Sequence, residues 1–179
     1  YSNLIAVDNA TGCVSAAGYT ASGPTGTNSL NQWIKLTGPT TFSTSVGYYS
    51  DSNCSSPIFT YAVGRSELTV GDNLSGLSYT GKPTTATKFT YKESCMEIYP
   101  YNEVGATYAN QLFGTTGKFV AGTKSICATN QTTYHGMWNI ADSTWDAAAN
   151  DNRSLTVLTA GITAFTTWAS GATEFIRLD

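Results

Sequence analysis

Charge is scarce in this chain of 179 residues: only 12% of the residues are charged, with nine lysines and arginines and twelve aspartates and glutamates. The basic residues are scattered and the net charge is -3, so there is no cationic patch for phosphates and nucleic acid is not an expected partner. No apolar run has the length of a bilayer span, because the closest stretch, 155–172, is interrupted by threonines and glycines. We expect a soluble protein with no membrane span.

Histidine is almost absent, which restricts the catalytic mechanisms that the chain can support. A Ser-His-Asp triad would have to use His135, the single histidine, and no Gly-X-Ser-X-Gly turn is present. Zinc sites need paired histidines or cysteine pairs, and both are missing. We therefore predict no catalytic residue, no metal and no certain cofactor; a bound lipid or pigment is the cofactor-like group that remains open.

Cysteine is present in an even number without any Cys-X-X-Cys pair: the chain has Cys13, Cys54, Cys95 and Cys127. This usage indicates structural disulfides made in an oxidising compartment, and hence a secreted, extracellular protein. Three pairings are possible. Pairing of nearest neighbours, Cys13 with Cys54 and Cys95 with Cys127, closes the shortest loops and is the predicted pairing.

Asn-X-Ser/Thr triplets, the acceptors of N-linked glycans, occur five times along the chain. The predicted glycosylation sites are Asn9, Asn73, Asn130 and Asn152. Asn53 is the weakest of the five, because Cys54 occupies the middle of its triplet and a disulfide there would close the loop before a glycan is added.

Short runs of β-branched and aromatic residues recur between turn formers and predict strands over most of the chain. The predicted strands are Leu4–Val7, Cys13–Thr20, Gln32–Leu36, Thr41–Tyr49, Pro57–Val63, Glu67–Val70, Thr85–Ile98, Lys118–Ala121, Lys124–Ala128, Thr133–Ile140, Leu155–Leu158, Ile162–Thr167 and Glu174–Leu178. Alternation of apolar and polar positions in several of them is typical of a sheet with one buried face. We predict a single domain over 1–179 that is all-β, with an antiparallel, closed or nearly closed sheet.

Two segments interrupt the strand pattern and predict one or two short helices. In the segment 102–113, Asn102 can cap the helix, Val104, Tyr108 and Leu112 repeat at a spacing of four, and Gly114 follows as a stop. A second short helix is predicted over 143–149.

Paired carboxylates are the one enzymatic possibility of substance, because glycoside hydrolysis uses two of them across a cleft. Glu93 and Glu97 are candidates, and Glu103 or Asp146 can supply a partner from another segment. The composition resembles that of the small jelly-roll xylanases, but the strand motifs of that family are absent. Glu93, Cys95 and Glu97 are expected to share one face of a strand as solvated side chains.

Aromatic residues are distributed over most of the predicted strands and can form either a core or a lined cavity. The predicted ligand-binding residues are Trp33, Tyr49, Phe59, Tyr61, Phe89, Tyr91 and Trp138. Any one of them is more often part of the core of a barrel than part of a cavity.

The segment 47–60, Gly-Tyr-Tyr-Ser-Asp-Ser-Asn-Cys-Ser-Ser-Pro-Ile-Phe-Thr, resembles a motif of the secreted, lipocalin-like adenomatosis-polyposis-coli down-regulated family. Trp33 is placed as in that family. The resemblance implies a lipocalin-like barrel with an apolar pocket for lipid-like ligands in an extracellular setting. The chain departs from the family at Gly64-Arg65-Ser66 and at Gly114-Thr115, so the ligand is not carried over.

These observations favour a secreted glycoprotein that catalyses nothing and binds a small hydrophobic or amphipathic molecule, such as a lipid, retinoid or pigment, in an aromatic-lined barrel cavity. The first alternative is a carbohydrate-binding or glycoside-hydrolysing β protein that uses Glu93 and Glu97. A further alternative is a structural or adhesive surface protein. The sequence makes no prediction of the oligomeric state.

Overall fold

The computed structural model describes residues 3–6, 13–18, 23–126, 132–142, 153–161, 163–169 and 173–178. Ten strands and one α-helix lie in these ranges. The strands are β1 (Asn3–Ala6), β2 (Val14–Ser15), β3 (Ser29–Gly38), β4 (Thr41–Tyr49), β5 (Pro57–Leu74), β6 (Ala86–Pro100), β7 (Ser125–Ile126), β8 (Thr133–Asp142), β9 (Arg153–Gly161) and β10 (Thr173–Leu178), and the helix is α1 (Glu103–Leu112).

The strands form one antiparallel sheet in the order β1-β10-β9-β8-β6-β5-β4-β3-β2, and β7 pairs with β6. The first strand, β1, also pairs with β3, through Leu4 opposite Ile34 and Ile5 opposite Trp33. The sheet is strongly curled into a half-barrel, and strand makes up 51% of the structure. The prediction of an all-β, antiparallel fold is therefore confirmed.

Strand β4 shows why the sequence folds locally in this way. Its bounds are those predicted, because alternation of Phe42, Thr44, Val46 and Tyr48 with small polar residues matches the period of two of a half-buried strand. A turn at 39–40 connects it to β3.

Strand β5 is longer than predicted, because the two predicted strands Pro57–Val63 and Glu67–Val70 form one continuous strand. Register shifts against β6 interrupt it, one of them between Gly64 and Arg65, and Glu67 has a positive φ of 55°. Pairing with β6 keeps this irregular stretch in the sheet, where local sequence predicts a break.

Three other predicted strands are wrong in whole or in part. Within the predicted strand Cys13–Thr20, of which the structure describes residues 13–18, only Val14–Ser15 is a strand and Ala16–Gly18 is a 3-10 turn. The segments 118–121 and 163–167 lie in turns and bends. The predicted helix over 143–149 lies outside the described residues.

Two apolar clusters lie on one face of the sheet. The first contains Val14, Leu30, Tyr48, Ile58, Phe59, Ile98, Ala109 and Phe119. The second contains Ile34, Phe42, Phe89, Tyr91 and Val157. A third cluster of Leu77, Ala86, Met137 and Trp168 lies around the start of β6.

Helix α1 confirms the predicted helix and its cap. The side-chain oxygen of Asn102 accepts a hydrogen bond from the backbone N–H of Gly105 at 3.0 Å. Tyr108 contacts the rings of Tyr48 and Phe59, with centroids 5.9 and 5.2 Å apart. The helix therefore covers the first apolar cluster.

The predicted disulfide between Cys13 and Cys54 is confirmed, with Cα atoms 5.8 Å apart. Cys95 lies in β6, but Cys127 lies outside the described residues, so the second pairing stays a prediction. Of the predicted glycan sites, Asn73 is exposed in β5, whereas Asn9, Asn130 and Asn152 fall outside the described ranges. In the part of the chain that the structure describes, no helix is long and apolar enough to cross a bilayer.

Candidate functional site

Four of the seven predicted ligand-binding residues are part of the apolar clusters: Phe59 belongs to the first, Phe89 and Tyr91 belong to the second, and Trp138 packs against the second. Phe59, Phe89 and Tyr91 are 0%, 2% and 1% exposed. Trp138 is half-buried and stacks on Phe89, with ring centroids 4.5 Å apart. The three buried rings leave almost no surface that a water-sized molecule can touch, so in this conformation they act as core side chains.

An open groove of about 380 Å³, here called the outer groove, lies across strands β3 to β6. Its lining includes the other three predicted residues, Trp33, Tyr49 and Tyr61. The remaining lining residues are Asn31, Ser45, Val46, Gly47, Thr60, Ala62, Glu97, Tyr99, Tyr101 and Lys124. Most of these positions alternate with the buried positions of the same strands, so the groove is mainly on the face opposite the apolar clusters. Val46 and Tyr61 are exceptions, because their side chains pack against the first apolar cluster.

Gly47 forms part of the floor of the outer groove and lets an aromatic ring lie across it. A Cβ atom at this position would lie 2.8 Å from the hydroxyl of Tyr49 and 2.6 Å from the side-chain oxygen of Asn31. The Asn31 amide donates a hydrogen bond to the Tyr49 hydroxyl at 2.9 Å, which fixes the ring over the glycine. Only glycine leaves this space open.

The hydroxyl of Tyr49 can donate a hydrogen bond to a ligand. Burial raises the pKa of Tyr49, and the hydrogen bond from Asn31 opposes this shift only in part. The hydroxyl is therefore neutral at physiological pH, and it accepts from Asn31 while its proton can be donated. Among the described residues, no acceptor for that proton is present.

The sequence analysis missed two aromatic residues of the outer groove, Tyr99 and Tyr101. Their rings meet edge to face with centroids 4.3 Å apart, and Tyr101 is 42% exposed. A period of two from Glu97 through Tyr99 to Tyr101 places all three in the groove, and this signal was available in the sequence.

A charged pair completes the outer groove. The ammonium of Lys124 lies 2.8 Å from a carboxylate oxygen of Glu97, and both side chains are about half exposed. Both groups keep contact with water and can exchange hydrogen bonds with a hydroxyl-bearing ligand.

The expectation that Glu93 and Glu97 share a strand face is wrong. A register shift in the pairing of β5 with β6 places Gly64 opposite Cys95 but Arg65 opposite Glu93. This bulge reverses the alternation, so Glu93 faces the apolar side beside Arg65 while Glu97 lines the outer groove. The two carboxylates therefore do not flank one cleft, as hydrolysis of a glycosidic bond requires.

Arg65 is a buried cation on the apolar side, with 7% of its surface exposed. Its guanidinium lies over the rings of Phe42 and Tyr91, at 5.6 and 5.3 Å from their centroids. It donates to Thr44 and to the carbonyl of Val63, and Glu93 is 3.8 Å away. Its Nε has no hydrogen-bond partner in the described residues.

Two tyrosines near α1 have their ionisation suppressed. Burial, followed by the proximity of Tyr108 and Tyr61, raises the pKa of Tyr48. Burial also raises the pKa of Tyr61, again with a contribution from Tyr108. These hydroxyls are neutral at physiological pH.

His135 lies in β8, opposite Thr90 of β6. Within the described ranges, no group of three or more histidine, cysteine, aspartate or glutamate side chains could hold a metal ion. The outer groove thus presents aromatic surfaces, neutral hydrogen-bonding groups and one solvated ion pair, an arrangement suited to binding. Comparison with protein-family models found no match to this chain, and comparison with curated proteins also found none.

Proposed function

We propose that this protein is a non-catalytic binding protein whose ligand is a saccharide held in the outer groove. One observation carries the proposal: aromatic side chains and hydrogen-bonding polar side chains line the same open groove. Trp33, Tyr49, Tyr99 and Tyr101 supply the rings, and Asn31, Glu97 and Lys124 supply amide, carboxylate and ammonium groups.

The chemistry of the groove matches the two sides of a sugar ring. The axial C–H face of a sugar is apolar, and its burial against an aromatic ring gains on the order of 25 cal/mol per Å². The equatorial hydroxyls need donors and acceptors, which the Tyr49 hydroxyl and the Lys124–Glu97 pair provide. An acyl chain fits this groove less well, because it would desolvate the ion pair without replacing its contacts with water.

The proposal is tested by a glycan array followed by titration of the best ligand. Trp33→Ala and Tyr101→Ala are each expected to weaken binding tenfold or more, because each removes a stacking surface. The matched control is Tyr79→Ala: Tyr79 is 39% exposed, close to the 42% of Tyr101, but it does not line the outer groove. A complete glycan array without a ligand, or equal losses in the control, would contradict the proposal.

Binding without hydrolysis is a separate part of the proposal. A reducing-sugar assay on the array ligand is expected to detect no product, because Glu93 and Glu97 lie on opposite faces of β6. Glu97→Gln should weaken binding while Glu93→Gln leaves it unchanged. If the unaltered protein releases reducing ends and either variant abolishes this release, this part of the proposal is overturned.

A second candidate function keeps the lipocalin-like interpretation and the family resemblance. It requires that β1, through its pairing with both β10 and β3, completes a closed barrel. The observation that favours an interior ligand is Arg65, a buried cation whose Nε lacks a partner among the described residues, since the carboxylate of a lipid-like ligand would supply one.

Addition of a fatty acid or retinoid to delipidated protein tests this second function. Quenching of tryptophan fluorescence that Arg65→Met abolishes and Tyr101→Ala leaves intact would support an interior site. Quenching absent across the panel would reject it. The saccharide titrations are independent of this result, so the two functions can fail separately.

An extracellular place of action belongs to the same proposal. The Cys13–Cys54 disulfide supports it, because such bonds persist in oxidising compartments. We expect the protein to be recovered from the secretory fraction of its source with this bond intact. Recovery of the reduced protein from a reducing compartment would contradict this placement.

A further inference from the structure

A second pocket, here called the end pocket, lies where β5, β6 and β8 run side by side, and it shares no residue with the outer groove. Its volume is about 460 Å³. It is lined by Asn73, Leu74, Ser75, Thr85, Ala86, Thr87, Trp138 and Asn139. The lining contains a complete Asn-X-Ser triplet, because Asn73, Leu74 and Ser75 are consecutive.

The strand register brings this triplet to an aromatic ring. Asn73 is opposite Thr87, and Thr87 is opposite Trp138, so the three side chains form one row on one face of the sheet. Two strand spacings separate Asn73 from Trp138, which corresponds to about 10 Å between their backbones. A single sugar attached to Asn73 can span this separation.

The amide of Asn73 is held in a fixed orientation that leaves its nitrogen available. The hydroxyl of Thr87 donates a hydrogen bond to the side-chain oxygen of Asn73 at 2.8 Å. The Nδ2 atom, to which a glycan would be joined, has no hydrogen bond among the described residues, and Asn73 is exposed. A glycan on Nδ2 therefore leaves the bond to Thr87 in place.

Trp138 provides the stacking surface that the first sugar needs. Trp138 stacks on Phe89 through one face of its indole, with planes inclined by 22°, and it also lines the end pocket. Asn139 follows Trp138 in β8, so its side chain points to the opposite face of the sheet and is not part of this contact.

We propose that Asn73 carries an N-linked glycan whose first N-acetylglucosamine folds back into the end pocket and stacks on Trp138. In the transfer, Nδ2 forms a bond to the anomeric carbon of a polyprenyl-diphosphate-linked oligosaccharide. The bond between that carbon and the diphosphate oxygen breaks, the diphosphate leaves with its electron pair, and Nδ2 gives a proton to a base of the transferase.

The covalent bond to Asn73 favours the attached sugar over a free sugar as the occupant of the end pocket. A covalently attached ring is present at an effective concentration in the millimolar range or above, so weak stacking on one indole suffices to hold it. A free monosaccharide would need several additional contacts to bind at such a site. The end pocket and the outer groove therefore bind sugars by different means, and either proposal can fail without the other.

The first test is the mass of the peptide that contains Asn73, after secretion of the whole chain from a host that adds N-linked glycans. Ser75→Thr keeps the triplet and should retain the glycan, whereas Ser75→Ala removes the triplet but preserves Asn73 and should lose it. An unmodified Asn73 peptide in the unaltered protein overturns the proposal.

The second test compares trimmed forms of the secreted protein. An endoglycosidase that leaves the first N-acetylglucosamine on Asn73 should leave the melting temperature unchanged, whereas Ser75→Ala should lower it by about 2–4 °C. Nuclear Overhauser contacts are expected between the acetyl methyl group of the sugar and the indole of Trp138. Trp138→Phe keeps an aromatic ring on Phe89, but it should remove the indole signals and weaken the docking. A glycan on Asn73 with no contact to Trp138 and no effect on melting overturns the docking.

Discussion

Arg65 is the residue with the most demanding environment, because its charge is buried among aromatic rings and Glu93 is the carboxylate beside it. Removal of one partner from a buried ion pair costs about 3–5 kcal/mol when both partners are fully buried. Glu93 keeps 22% of its side chain exposed, so water offsets part of this cost.

We therefore predict that Glu93→Gln lowers the free energy of unfolding by about 2 kcal/mol, because it leaves the charge of Arg65 without its counter-charge. The control is Glu67→Gln, which removes an ion pair to Lys92 whose carboxylate is 63% exposed and should change stability by less than about 0.5 kcal/mol. Urea unfolding measures both variants. Equal changes in the free energy of unfolding for the two variants would show that the buried pair contributes no more to stability than the exposed pair.

The environment of Asp51 predicts how the stability of the protein changes at low pH. The Ser55 hydroxyl and the backbone N–H groups of Ser55 and Ser56 donate to its carboxylate, and these bonds lower the pKa of Asp51. A lowered pKa adds stability that is present above the unfolded value of about 3.9 and is lost as the pH falls through the lower folded value.

Asp51→Asn is accordingly expected to reduce stability at neutral pH and to match the unaltered protein at low pH. The measurement is the urea midpoint from neutral to acid conditions. Asp72→Asn, at an exposed position in β5, is the control and should leave the profile unchanged. A difference between Asp51→Asn and the unaltered protein that persists at the lowest pH would contradict the proposed role.

At the scale of the element, helix α1 shows how tertiary contact overrides helix propensity. Gly105 lies in the first turn, where alanine would favour the helix by about 1 kcal/mol. A Cβ atom there would overlap the carbonyl oxygen of Ile58 in β5 and approach the backbone of Pro100. Glycine is therefore required by the close approach of helix and strand, at a cost in propensity.

Gly105→Ala should consequently lower the free energy of unfolding by about 1–3 kcal/mol, because α1 must shift away from β5. Thr107→Ala is the matched control: Thr107 is exposed in the same helix, and the change should stabilise by a few tenths of a kcal/mol. Thermal or urea unfolding distinguishes the two. A stabilised Gly105→Ala variant would show that the helix can move without loss.

Sequence reasoning succeeded where structure is local and failed where it depends on register. The bounds of β4 and the Asn102 cap follow from alternation and from cap chemistry within a few residues. The bulge that separates Glu93 from Glu97 depends on how β6 pairs with β5, which no local pattern encodes.

The site was predicted only in part for the same reason. Trp33 and Tyr49 were chosen as ligand-binding residues and do line the outer groove, but the choice assumed a barrel interior. Which aromatic faces the core and which faces solvent is decided by pleat and pairing across four strands. Lys124 could not be predicted as a groove residue, because it directly precedes β7, and β7 pairs with β6 only in the folded sheet.

At the scale of the whole molecule, one disulfide is present and a second is predicted. The bond between Cys13 and Cys54 closes a separation of 41 residues, and a loop of this size accounts for roughly 4 kcal/mol in the chain-entropy description. Ile126 pairs with Glu97, so the chain enters Cys127 from a strand that lies beside the one carrying Cys95.

We predict that a non-reducing peptide map finds Cys13 joined to Cys54 and Cys95 joined to Cys127. Replacement of Cys13 and Cys54 together by serine should lower the free energy of unfolding by about 2–4 kcal/mol. Crossed pairs in the map, or a double variant as stable as the parent, would count against this arrangement.

The position of β1 between β10 and β3 has a consequence for synthesis of the protein. The pairing of Ala6 with Phe175 joins strands from opposite ends of the described chain, and closure of so long a segment opposes early formation of this contact. On the ribosome, β1 emerges long before β10 has been translated. β3 follows soon and can pair with one edge of β1, but the edge that pairs with β10 stays open, so the nascent chain is exposed to mispairing until β10 is made.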